Sequence, residues 1–327
     1  MIICISANPA IDRRLRLESI AVGGVNRAVS AQPFPGGKAA HVAMVARALG
    51  AEVTWVGFLG GAAGEDCESG LSARDIPLTV VRTRAETRAN LEIIADDGTV
   101  TEILEPGGGV TEGEVERLLS ACIDTFAESG AGTQVAISGS LLPGTPPDFY
   151  AELIRIAHSY GCRVLLDTSG EPLRQALAAA PDLVKPNRNE AASYAGRPVH
   201  TAEMAMVVSQ DLIKAGARGV AVSLGAAGMV WQRCGNSATF FCEAPRIIAR
   251  SSVGSGDAAL AAFAVAHERG LGDEETLSLA VACGTANCLA EAPGLIDQAE
   301  VERINRQVYV TRLRADYREV ETNGVGR

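Results

Sequence analysis

Ser251-Ser252-Val253-Gly254-Ser255-Gly256-Asp257 runs straight into the apolar stretch Ala258 to Ala266. Two glycines around one small residue let the backbone turn tightly and come close to a ligand. The helix predicted by the apolar run would aim its unpaired first N–H groups at an anion. Gly254, Ser255 and Gly256 are therefore candidate donors to a phosphoryl group. Asp257 is a candidate general base for an attacking hydroxyl. The same aspartate also suits a helix cap, and the loop alone leaves both roles open.

Working outward, short β-rich runs alternate with alanine-rich helical patterns. Strands are expected at Ile2–Ser6, Val53–Phe58, Gln134–Ile137, Arg163–Leu166, Gly219–Ser223 and Met229–Gln232. Helices are expected at Lys38–Leu49, Ala63–Arg74, Pro147–Ser159, Glu171–Ala179 and Thr201–Ala215. Such alternation predicts an α/β fold with a mainly parallel central sheet flanked by helices. In sheets of this kind ligands bind beyond the carboxyl ends of the strands.

Two segments break the rhythm. Arg13–Ser30 alternates polar and apolar residues, and Thr87–Glu105 reads as a hairpin turning at Asp96-Asp97-Gly98. Together they predict a small β-sheet lid, which would exclude water from a phosphoryl transfer. The expected division is a nucleotide-binding core at 1–11, 34–85 and 106–315, a lid at 12–33 and 86–105, and a flexible tail at 316–327.

The 327 residues carry a net charge of −10. That argues against general nucleic-acid binding, which needs a basic face. No stretch approaches the roughly 18 uninterrupted apolar residues of a membrane span. Eight cysteines lie scattered with no C-x-x-C pair, so a reducing cytoplasm is the expected setting. An anionic substrate would have to be held by a few local cations.

Pro35-Gly36-Gly37-Lys38 places a double glycine and an ammonium at a helix start, where backbone N–H groups can hold anions or hydroxylated ligands. Asn187 and Glu190 are three apart and share a helix face. They could hold a hydrated Mg2+ through water, or simply form a capping box, and the two roles are compatible. Lys185 precedes Pro186 and so lies in extended chain, which suits a reach across a cleft and equally an exposed strand end.

Gly36-Gly37-Lys38 and Val253-Gly254-Ser255-Gly256-Asp257 resemble the two signatures of the PfkB/ribokinase family of sugar kinases. Smaller pieces match in order: Asn8-Pro9-Ala10-Ile11-Asp12, Glu86-Thr87-Arg88-Ala89-Asn90, Ser138-Gly139-Ser140-Leu141-Leu142-Pro143-Gly144, Leu166-Asp167-Thr168-Ser169-Gly170, Lys185-Pro186-Asn187-Arg188-Asn189-Glu190 and Ser223-Leu224-Gly225-Ala226-Ala227-Gly228. The opening, the E-T-R-x-N piece and the S-G-S turn resemble the branch of 1-phosphofructokinases, tagatose-6-phosphate kinases and minor 6-phosphofructokinases.

The resemblance implies a ribokinase-like fold and an ATP- and Mg2+-dependent kinase for a ketohexose phosphate. Fructose 1-phosphate is the first candidate, with tagatose 6-phosphate and fructose 6-phosphate next. It also implies roles for residues. Lys38 and Arg88 would pair with the sugar's phosphate, Arg with two parallel hydrogen bonds, and Ser138 would donate a hydroxyl to it. Asp12 would accept hydrogen bonds from sugar hydroxyls, with Gly36, Gly37 and Asn90 beside it. Lys185 and Asn187 would serve the ATP phosphates, and Ser223, Gly225 and Gly228 the nucleotide pocket. A homodimer through the lid is a further implication, and Asn287 could line the adenine side or, the favoured reading, simply pack.

One departure concerns substrate binding. The family usually reads G-G-K-G-x-N-V-A, whereas this chain has Ala39 and His41 at the fourth and sixth positions. His41 could contact substrate or pack under the lid. Leu142, standing for a common proline, should alter only turn stiffness. A kinase for a neutral sugar or nucleoside, or a non-catalytic sugar-phosphate sensor of the same fold, stays open. A dinucleotide-dependent oxidoreductase is disfavoured, because Ile2–Ser6 is followed by Asn8-Pro9-Ala10 rather than a G-x-G-x-x-G turn.

Overall fold

The computed structural model describes residues 1–236 and 238–313. The tail expected at 316–327 lies outside them. Strand β1 (Ile2–Ser6) is buried at every position, as suits the middle of a sheet covered on both faces. The chain continues through β2 (Ala10–Leu17), β3 (Ser30–Gly36), α1 (Lys38–Ala48), β4 (Val53–Leu59), α2 (Gly61–Ser72), β5 (Leu78–Arg82), β6 (Arg88–Ala95) and β7 (Val100–Leu104). Next come α3 (Glu112–Ser129), β8 (Gln134–Ser138), α4 (Phe149–Ser159), β9 (Arg163–Asp167), α5 (Gly170–Leu177), β10 (Leu183–Val184), α6 (Arg188–Ala195), α7 (Ala202–Lys214) and β11 (Gly219–Ser223). The described chain ends with β12 (Met229–Arg233), β13 (Thr239–Cys242), α8 (Ser255–Glu268), α9 (Asp273–Leu289), α10 (Gln298–Asn305) and β14 (Val310–Leu313).

Ten strands form one sheet in the order β14-β13-β12-β11-β10-β9-β8-β1-β4-β5. Every neighbouring pair from β5 to β11 is parallel, and β12, β13 and β14 extend one edge antiparallel. Alternate residues feed opposite cores, as the two-residue strand period requires. Ile2, Cys4 and Trp55 point into a core shared with α1, α8 and α9. Ile3, Ile5 and Val56 point into a second core with α3, α4 and α7. Among the described residues no helix is long and apolar enough to cross a membrane.

Helix α8 explains its own composition. Every residue from Asp257 to Ala266 is buried, so a one-sided apolar stripe would not serve and the helix is apolar all round. Its alanines keep it slim enough to lie between the sheet and α9. Helix α3 was not among the elements expected above. Its buried Val115, Leu118, Cys122 and Phe126 recur at helical spacing among acidic residues, and a capping box between Thr111 and Glu114 starts it.

The small sheet has the order β3-β2-β6-β7, with β2 and β6 parallel although 70 residues of chain separate the end of one from the start of the other. Its pairing begins at Ala10 opposite Gly36, so the strands run unbroken out of the core on either side of 12–33. The expected turn forms at Asp96-Asp97-Gly98, where the Thr99 N–H donates to the Asp97 carboxylate at 2.8 Å. The sheet lies over the carboxyl ends of β9 and β11, marked by Asp167 and Ser223, and shares a cavity with them.

Candidate active site

His41 joins the two glycine turns. It stands one helical turn into α1, fully buried, and its two ring nitrogens each meet a carboxylate oxygen at 2.9 Å: Nδ1 at Asp257 Oδ2, Nε2 at Asp12 Oδ2. Asp12 Oδ1 accepts a further bond from Asn90 Nδ2 at 2.8 Å. Gly36 makes this possible, since a methyl group there would overlap the Asp12 carboxylate. Burial opposes the charge on His41, but the bonds to Asp12 and Asp257 outweigh it and push the ring up to about 10. Burial likewise works against an ionised Asp12, yet His41 and Asn90 hold its carboxyl below the ordinary value.

A second cluster lies at the end of β9. Asp167 is wholly buried and receives two ammoniums, Lys38 at 2.7 Å and Lys185 at 2.7 Å, one on each oxygen. Burial pushes this carboxyl up, but Lys185 and Lys38 together hold it at about 2. Lys38 also lies 3.5 Å from Glu190. Its own burial opposes the charge, but Asp167, Glu190 and Asp257 raise it above the ordinary lysine value. Lys38 therefore groups with Lys185 and Glu190, whereas the resemblance assigned it to the sugar's phosphate beside Arg88.

The loop before α8 is open to an anion. Gly254 sits at a left-handed φ of 76° and caps the helix, and a side chain there would press on Pro293. The Ser255 N–H is already donated to the Ser252 carbonyl at 3.2 Å. The N–H groups of Gly254, Gly256 and Asp257 have no partner among the described residues. Three donors thus converge, but the middle one expected, Ser255, is replaced by Asp257. Lys185 lies against Gly256, adding positive charge beside them.

These groups share one cavity of about 630 Å³. Asp12, Gly37, Lys38 and His41 form its front, Arg88 and Asn90 its lid, and Gly254 to Asp257 its floor. Lys185, Asn187, Glu190, Ser223 and Gly225 line the rest. Asn187 accepts from the N–H groups of Asn189 and Glu190, and Glu190 Oε2 accepts from Asn187 N, so the capping box is present. Glu190 Oε1 is left toward Lys38 and the cavity.

Three expected residues stand elsewhere. Ser138 is buried at the end of β8 with its hydroxyl unpartnered, whereas Ser140, two residues on, is exposed and accepts from Asn8 Nδ2 at 2.9 Å. Strand pairing turns Ser138 inward, and the chain leaves the sheet only at Gly139. Gly228 belongs to the turn between β11 and β12, where a side chain would overlap the Cys242 carbonyl. Gly36 lies behind Asp12 rather than on the cavity wall.

Residues 2–299 match the pfkB family of carbohydrate kinases. This chain belongs to that family. It is 29% identical to 1-phosphofructokinase of Bacillus subtilis over 96% of this chain and the whole of that protein. It is 32% identical to tagatose-6-phosphate kinase of Staphylococcus epidermidis over 95% of this chain and 99% of that one. Phosphofructokinase-2 of Escherichia coli, solved with substrates and products, superposes with a TM-score of 0.86 at 28% identity, covering 94% of this chain and 98% of that one. The fold is accordingly ribokinase-like, and the protein is a kinase that uses ATP.

In this pfkB kinase three contacts escaped the sequence reading. Asp167 was quoted within a motif but given no role, although its place at the carboxyl end of a parallel strand was a usable signal. Glu92, in the small sheet, accepts from Ser251 Oγ at 2.6 Å and pairs with Arg14 at 2.7 Å, tying that sheet to the loop before α8. Asn287 donates to the Val253 carbonyl at 2.7 Å and accepts from Gly294 N at 2.8 Å, so it packs, as expected, and also braces that loop.

Proposed function

We propose that this protein transfers the γ-phosphoryl group of MgATP to a free hydroxyl of a ketohexose phosphate, with fructose 1-phosphate as the preferred acceptor. The observation that carries this is the shared cavity in which Asp257, on an open helix start, faces the hydroxyl-binding carboxylate Asp12 and the guanidinium of Arg88. Arg88 Nη1 is held by Asn90 at 3.1 Å and the Glu105 carbonyl at 2.9 Å, while its buried Nε has no partner among the described residues. Arg88 lines the cavity, and a guanidinium there suits a phosphate. The names of the relatives, 1-phosphofructokinase and tagatose-6-phosphate kinase, favour a phosphorylated acceptor as well.

Asp257 takes the hydroxyl proton as the acceptor oxygen attacks phosphorus. The free N–H groups of the loop, Lys185 and Lys38 receive the charge spread over the moving phosphoryl group, where positioning and electrostatics supply most of the acceleration. Glu190 is the carboxylate suited to hold hydrated magnesium, which typically takes one or two carboxylates plus phosphate oxygens. When bound, the ion would neutralise the polyphosphate. No cluster of three metal-binding side chains exists among the described residues, in keeping with a metal that arrives with the nucleotide.

We also read the small sheet as a homodimer surface. Val22, Val25 and Val29 on the β2–β3 loop and Ile103 on β7 are exposed apolar side chains, and both edge strands of this sheet lack outer partners among the described residues. All eight cysteines are unpaired, which suits a reducing cytoplasm.

The test is an ADP-release screen with MgATP against fructose 1-phosphate, tagatose 6-phosphate, fructose 6-phosphate, fructose, ribose and adenosine. The expected order places fructose 1-phosphate highest in kcat/KM. A higher kcat/KM for fructose, ribose or adenosine than for any phosphorylated sugar overturns the reading.

A further inference from the structure

His41 occupies a demanding position. A neutral imidazole carries one N–H and one lone pair, yet both of its nitrogens face carboxylate oxygens at 2.9 Å. With two ionised carboxylates, one contact would set lone pair against lone pair in a buried site. Two N–H donors resolve the conflict, and an imidazolium provides them.

We propose that His41 is a positioning residue that, as an imidazolium bonded to Asp12 and Asp257 at once, holds the acceptor-binding carboxylate and the base in fixed register. The inference rests on the reading of Asp257 as base. The elevated basicity of the ring agrees with it. Each carboxylate spends one oxygen on His41. Asp12 Oδ1 is bonded to Asn90, while Asp257 Oδ1 has no partner among the described residues and belongs to the cavity wall.

The division of labour follows from atom balance. When the acceptor oxygen bonds phosphorus, the bond from the γ-phosphorus to the ADP oxygen breaks and its electron pair leaves with ADP. The hydroxyl proton goes to Asp257 Oδ1 and then to solvent. His41 does not accept it, because both nitrogens are already protonated. Its cation instead offsets the mutual repulsion of Asp12 and Asp257. The other charges facing this trio are Lys38 on the same helix, Arg88 on β6 and Glu102 on β7.

The pH profile of kcat/KM in a His41→Asn variant tests this, because its acid limb reports the essential base. An opposite charge at this range shifts a carboxyl by about one to three pH units. Removing the cation is therefore expected to move the acid limb upward by about that amount, with kcat falling more than KM rises. A variant that keeps the wild-type acid limb, whatever its kcat, overturns the proposal. The wild-type enzyme gives a second measurement that does not depend on a folded His41 variant. It has four histidines, and 15N-histidine spectra at pH 8 should show His41 with both ring nitrogens protonated. His158, the other histidine paired with a carboxylate, is identified by His158→Gln. A neutral His41 at pH 8 also overturns the proposal. Asp257→Asn separates the two readings: if it retains wild-type turnover, the base assignment falls and this inference with it. If it is inactive while His41→Asn keeps the acid limb, only the role of His41 falls.

Discussion

Asp167 shows how much a single buried carboxylate can organise. It has given up water for two ammoniums, and Lys185 on its far side is as deeply buried as it is. Breaking a buried pair by removing one partner typically costs about 3–5 kcal/mol. Asp167→Asn is therefore expected to lose stability of that order in urea denaturation at pH 7, and to lower turnover by loosening both lysines. The folded carboxyl lies near 2 against an ordinary 3.8. Its contribution is thus full above pH 3.8 and lost as pH falls toward 2, so the acid-side decline in stability should be shallower in the variant. His41 has the opposite sign. Raised from 6.5 to about 10, it contributes fully below pH 6.5 and progressively less as pH rises toward 10. The melting temperature of His41→Asn should fall less than that of wild type over that alkaline interval. Arg88→Ala should raise the KM for the sugar phosphate, whereas Lys38→Ala, removing the ammonium that pairs with Asp167 and lies near Glu190, should chiefly lower kcat. Equal effects of the two on KM would return Lys38 to the sugar side. Asp257→Asn should lower kcat by about 10²–10⁴-fold while nucleotide binding persists in calorimetry.

Among the elements, the link between lid and loop invites a direct measurement. Ser251 and Glu92 meet in a buried contact, and an unsatisfied buried group costs about 1–3 kcal/mol. Ser251→Ala should speed hydrogen exchange of the β6 amides at 88–95 relative to those of β1, and unchanged exchange would show that the lid is held by other means. Helix α8 permits a packing test: Ala262 has no exposed surface, so Ala262→Leu should destabilise by about 1–3 kcal/mol through overpacking. The legibility of these elements differed for physical reasons. The central parallel strands and α8 were plain because full burial leaves a continuous apolar run, as in Ile2–Ser6 and Ala258–Ala266, whereas the half-buried edge strand β5 was not expected. Helix α3 was not, since its apolar positions are diluted by Glu116, Asp124 and Glu128 on the wet face. Strand β10 has two residues, too few for any period. Strand β14 was not expected either, since Thr311 and Arg312 leave no apolar run at this edge. At the site, glycine turns and lysines advertised themselves by type. The inward turn of Ser138, and the sharing of Asp167 by Lys38 and Lys185, depended on which way side chains face after the sheet forms. The dual bond of His41 required two segments more than 200 residues apart to meet.

At the scale of the whole molecule, the large sheet fixes the floor of the cavity and the small sheet supplies its cover. If the small sheet also pairs two subunits, charge on its apolar loop should prevent it: Val25→Asp together with Ile103→Lys is expected to shift sedimentation from dimer to monomer. A wild-type protein that sediments as a monomer at micromolar concentration would remove the dimer. Helix α8 sets a different kind of limit. Because Asp257 opens the run Asp257–Ala266 of α8, buried at every position, the proposed base cannot be dislodged short of taking the interior apart, whereas the cover is tied to the loop before α8 by the polar contacts of Glu92. Heat should therefore silence this enzyme in two stages, first by a reversible loss of grip on the acceptor while the interior stays whole, and only later by collapse of the catalytic floor itself.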